Sequence, residues 1–168
     1  PEVHLNDATV YAESEVFKHN KSKVLLNGEQ LLSMKGSTVE LGANQLEAEL
    51  PKIELRGKRV VLDNSKVAQL HYFNFKSIIL REYAYWPPFL NGKKITLVKA
   101  DDSFEMVNDS SIYMYTGDIQ INSNDISLKD SMIINETTWP NFQTKVGEIK
   151  LDAKGDITLV NSHISGIS

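Results

Sequence analysis

Cysteine is absent from the 168 residues. Its absence excludes disulfides, thiolate metal sites and cysteine nucleophiles together, and suits a secreted protein. A basic excess is missing as well: 18 Lys and Arg stand against 22 Asp and Glu, a net charge of -4. No face-forming cluster of cations points to nucleic acid, and the densest basic stretch, KHNKSK at 18–23, reads as a solvated loop. No stretch approaches the ~20 apolar residues of a membrane-spanning helix, and Pro1 opens in mid-pattern without a signal peptide.

Catalytic vocabulary is scarce too. His4, His19, His71 and His163 lack metal-ligand spacing. The serines form no nucleophile elbow, and there is no phosphate-binding glycine loop. No catalytic residue, metal site or cofactor is assigned, and the chain is not expected to be an enzyme. Asp101, Asp102, Asp109, Asp125 and Lys129 are the one set of outward groups that could serve a carbohydrate-active site. Such carboxylates also decorate any soluble repeat.

What the sequence does contain is one phrase written five times: VHLNDATV at 3–10, LSMKGSTV at 32–39, VVLDNSKV at 60–67, ISLKDSMI at 126–133 and ITLVNSHI at 157–164. Its first and third positions are apolar, which places them on one face of a strand. The fifth position holds Asp7, Gly36, Asn64, Asp130 or Asn161, residue types that tolerate left-handed backbone and bend a chain. Ala8, Ser37, Ser65, Ser131 and Ser162 follow, small enough for a tight bend. Because Ala8 occupies the serine place once, replacing these serines by Ala is expected to be mild. The phrase reads as strand, corner, strand.

Around it runs a longer rhythm of inward positions seven apart, including Ile112, Ile119, Ile126 and Ile133. Most carry a second apolar residue two places on, a spacing that rejects a coiled coil. Short strands divided by evenly spaced corners predict an all-β parallel β-solenoid over the single unit 1–168. Three seven-residue sides imply coils of about 21 residues, whereas the return of the serine phrase suggests about 29. An antiparallel sandwich with evenly spaced strands is the alternative. The strand pattern continues almost to the C-terminus without a cap, so neighbouring coils of a longer chain or a capping partner are expected.

Two regions break the rhythm, at about 68–94 and 135–145. The first concentrates aromatics, with Tyr83, Tyr85, Trp86 and Phe89 beside the Pro87-Pro88 pair. The second holds Trp139. Function in repeat proteins tends to live in such insertions, so these five aromatics are the candidate binding residues, for glycans or for a protein on a target cell. Their alternative role is to pack the loop onto the flank of the coils.

The wording GDIQINSNDISLKDSMI at 117–133 and GEIKLDAKGDITLVNSHISGIS at 147–168 resembles the repeats of the filamentous haemagglutinin family of large secreted exoproteins. The resemblance covers 112–168 most clearly and 24–67 as well, but not the aromatic insertion. It implies a right-handed parallel β-helix fibre exported by two-partner secretion and placed on a bacterial surface or secreted, serving as an adhesin or carrying a toxin. The family's Asn-Pro-Asn secretion motifs are missing, so binding to the transporter does not carry over. A carbohydrate-active β-helix enzyme and a phage-type fibre module are the competing functions.

Overall fold

The alternating apolar residues form strands wherever the chain is described, at residues 1–13, 23–43, 52–71, 94–115, 117–136 and 147–167 of a computed structural model. In chain order the strands are β1 (Glu2–Asn6), β2 (Thr9–Glu13), β3 (Lys23–Lys35), β4 (Thr38–Ala43), β5 (Lys52–Asp63), β6 (Lys66–His71) and β7 (Lys94–Val107). They continue with β8 (Ser111–Tyr115), β9 (Gly117–Ser123), β10 (Asp125–Lys129), β11 (Met132–Glu136), β12 (Ile149–Ala153), β13 (Ile157–Val160) and β14 (His163–Ile167). Among the described residues there is no helix.

Two sheets result. One follows the order β1-β3-β5-β7-β10-β13, with β9 and β12 extending from the first half of β7, and the other runs β14-β11-β8-β6-β4-β2. Each pairing between described strands is parallel. An antiparallel sandwich is thereby excluded. The chain is all-β with parallel sheets, an arrangement compatible with a β-solenoid.

Strands of one layer sit above those of the layer before. Leu32 lies over Val3, Val60 over Leu32, Phe104 over Val60, Ile126 over Phe104 and Ile157 over Ile126. The shortest of these steps, from Phe104 to Ile126, is 22 residues, and the others are longer because of one kind of connection. Segments 14–22, 44–51, 72–93, 116 and 137–146 all join the end of a strand in the second sheet to the start of one in the first. Neither about 21 nor about 29 residues describes every step: the connection from the second sheet to the first absorbs most of the variation, and corners and bulges add a residue here and there.

The inward register holds. Leu32, Met34, Val39, Leu41, Ile53, Leu55, Val60, Leu62 and Val67 are buried, as are Ile112, Ile119, Ile126 and Ile133, in one continuous core cluster. Stacked apolar residues of this kind supply ~25 cal/mol for each Å² removed from water. Gln69 and Asn135 are polar residues facing inward, and each covers a backbone acceptor. Gln69 Nε2 donates to the Ile95 carbonyl at 2.7 Å, and Asn135 Nδ2 donates to that of Gly117 at 2.8 Å.

The corner follows the phrase. Asp7, Gly36, Asn64, Asp130 and Asn161 all have positive φ, between 47° and 57°. The layer of β7 and β8 turns the same corner with two such residues, Asn108 and Asp109. That extra residue hid a sixth copy of the phrase. The serines that follow do more than fit. Ser37 Oγ donates to the Lys35 carbonyl at 2.9 Å and accepts from the Ala8 amide at 3.1 Å. Ser65 Oγ likewise donates to Asp63 at 2.9 Å and accepts from Ser37 at 3.1 Å. The Ser65 amide in turn donates to Ser110 Oγ at 3.2 Å, and the Ser131 amide to Ser162 Oγ at 3.2 Å. A hydroxyl ladder thus ties layer to layer at the bend.

Candidate functional site

The aromatic residues singled out from the sequence, Tyr83, Tyr85, Trp86, Phe89 and Trp139, lie outside the described residues. At the borders of the two insertions the strand pattern persists: β6 extends to His71, β7 begins at Lys94, and Asn135 and Glu136 belong to β11. The outward acids do not converge. Asp125 and Lys129 stand at opposite ends of β10, roughly 13 Å apart at the usual strand rise. Asp125 Oδ1 is occupied by the Asp156 amide at 2.9 Å. Among the described residues no cluster of His, Cys, Asp and Glu could hold a metal, and no helix is long and apolar enough to cross a membrane.

The most unusual electrostatics lie on the outward face of β3, β5 and β7. Alternation along β5 puts Ile53 and Leu55 into the core and turns Lys52, Glu54 and Arg56 outward. Glu54 is nevertheless fully buried, at 0% exposure. Lys52 Nζ lies 2.9 Å from its Oε2, Lys23 Nζ of the neighbouring layer lies 3.8 Å from the same oxygen, and the Arg56 guanidinium grips Oε1. All three cations keep part of their side-chain surface in water. Burial pushes the Glu54 pKa up, but hydrogen bonds from Lys52 and Arg56 and their charges outweigh it and hold the carboxyl below its ordinary value. An acid held ionised in this way cannot donate a proton at neutral pH. It can fix the position of cations.

A second outward cluster joins β8 to β11. Tyr113 Oη donates to Glu136 Oε2 at 2.8 Å, a diagonal contact between adjacent strands, with Ile134 directly beside Tyr113. Partial burial, and next the bond and charge of Glu136, raise the phenol pKa to about 12. Nearby, the Asn-x-Thr triplet at Asn135 is disqualified as a glycan acceptor in the folded chain, because its amide is buried against Gly117.

Neither cluster is announced by the sequence. Glu54 reads as an ordinary outward charge within KIELRG, and only the placement of Lys23 and Arg56 around it makes it a buried centre. Tyr113 and Glu136 are 23 residues apart. Aligning SIYMY with MIINE through the Ile112 and Ile133 repeat could have brought them together.

Comparison with known proteins returned no match: no family model, curated protein or solved structure matches the chain.

Proposed function

We propose that the chain is a section of a right-handed parallel β-helix acting as a structural and binding scaffold, within a secreted or surface-displayed bacterial adhesin of the kind the haemagglutinin resemblance implies. The observation that supports this reading is the division of labour along the chain. Sides and corners keep one pattern from layer to layer. The long connections all run from the second sheet to the first, and two of them carry Tyr83, Tyr85, Trp86, Phe89 and Trp139. A constant stack with variable segments at one edge suits recognition by insertion. The exposed inward residues of the last layer, Ile157 and Leu159, are suited to a further layer or a covering partner.

Retention on a glycan array and on target cells, measured for the native chain and for Trp86→Ala, tests the binding half of the proposal. Retention should be lost in the variant while the thermal midpoint moves little. If Trp86→Ala unfolds the chain, or leaves retention untouched, the aromatic insertion is packing rather than recognition. A crystal structure that winds to the left would overturn the proposed handedness.

A further inference from the structure

The cations around Glu54 outnumber what one carboxylate can balance. Lys23 and Lys52 are in register on adjacent strands, and so are Arg56 and Lys99. Like charges placed opposite one another on a sheet repel, at a spacing of ~4.8 Å. Glu54 answers three of them, Lys23, Lys52 and Arg56, and the protein as a whole carries a net charge of -4. The positive patch is therefore local and works against the general charge. Its upper limit is set by acids, since Asp118 lies above Ile95 in the column of Lys23 and Lys52, and Glu148 donates its amide to the Asp118 carboxylate at 2.8 Å. In register with Glu54, between the two ends of the patch, Leu25 keeps 45% of its surface exposed.

We propose that this face binds a uronate-bearing polysaccharide, with Lys23, Lys52, Arg56 and Lys99 on its carboxylates and Leu25 against the apolar face of a sugar ring. The reading rests on the surface-binding role proposed above and names a ligand class for it. Glu54 gathers the three nearest cations and competes with an external anion for their charge. A nucleic acid would call for a longer basic footprint than these few layers provide. An acidic peptide would make no use of Leu25.

The probe is polygalacturonate, with neutral dextran, poly-glutamate and a thymidine oligonucleotide as comparisons, measured on the folded chain at about 0.15 M salt, where surface electrostatics are already screened. Polygalacturonate should be retained above all three. The double variant Lys23→Gln/Lys99→Gln, which leaves the Lys52 and Arg56 contacts to Glu54 in place, should weaken it about tenfold, and Leu25→Ser should weaken polygalacturonate but not poly-glutamate. Glu54→Gln should tighten it about threefold, because the cations lose their internal partner, an effect opposite to that of structural damage. The proposal is overturned if polygalacturonate is not retained, if the double variant binds as the native chain does, or if poly-glutamate or the oligonucleotide is held as tightly. Cell retention that depends on Trp86 alongside absent polygalacturonate binding would reject this face and leave the adhesin reading standing.

Discussion

At the corner, the hydroxyl of Ser65 performs a task that a methyl group cannot. It accepts the amide of Ser37 from the neighbouring layer, and both residues are buried, so no water can replace the lost acceptor. Ser65→Ala should cost about 1–3 kcal/mol, the penalty for an orphaned buried donor, not the small amount expected from size alone. Ala8 is no precedent, because among the described residues no layer lies beneath it to donate. Ser162→Ala should cost less, since Ser162 is only partly buried and water can stand in for its oxygen. Urea denaturation of the two variants checks the ordering. Glu54 makes a similar point about charge. Its folded pKa lies below the ordinary 4.5, so its contribution is present above that value and disappears as pH falls through the folded one. Glu54→Gln should therefore destabilise at pH 7 by about 1–3 kcal/mol, and the gap to the native chain should close in acid. A gap that stays constant down to low pH would refute the ion-pair account.

Strands and corners were legible from the sequence because they depend on neighbours two to eight places away. Positions one and three went to the buried core in the three inner copies of the phrase, and every fifth-position residue took the predicted left-handed backbone. The corner of β7 and β8 escaped notice because Asn108 and Asp109 insert one extra residue. Contacts across layers were less legible, since their spacing depends on connections of unequal length. Gly28 illustrates this. A Cβ there would lie 2.0 Å from the Leu31 carbonyl oxygen, at the point where the pairing of β3 with β5 shifts register. Backbone cannot yield as a flexible side chain can, so Gly28→Ala should cost about 1–3 kcal/mol by overpacking, read as a lower denaturation midpoint. The link between β8 and β11 has a pH signature. With the Tyr113 pKa raised to about 12 from an unfolded value of about 10, the contribution is complete below the unfolded value and is lost as pH rises through the folded one. Native and Tyr113→Phe proteins should converge in stability over that alkaline window. Divergence there would contradict the donor role of the phenol.

In the whole molecule, stability should be graded along the stack, because each layer is covered by its neighbours and by little else. Ile126 and Ile157 occupy the same column and are directly paired, yet Ile126 is 1% exposed while Ile157 is 47% exposed. Leu128 and Leu159 repeat the contrast at 0% and 48%. A carboxylate in place of Ile126 would be enclosed between β7 and β13 without a partner, which costs several kcal/mol out of a total stability of about 5–15. At Ile157 the same carboxylate can reach water. Ile126→Asp should therefore unfold much of the population, Ile157→Asp should cost under about 1 kcal/mol, and Lys129→Asp, next to the core but outward, should cost equally little. Amide exchange should follow the same gradient, slowest in β5 and fastest in β13. The comparison of Ile126 with Ile157 is decisive because side chain, column and register are shared, leaving only the covering layer to differ. Equal losses at the two positions would mean that a partner covers the last layer in solution, and dilution should then lower the stability of Ile157→Asp and native chain alike.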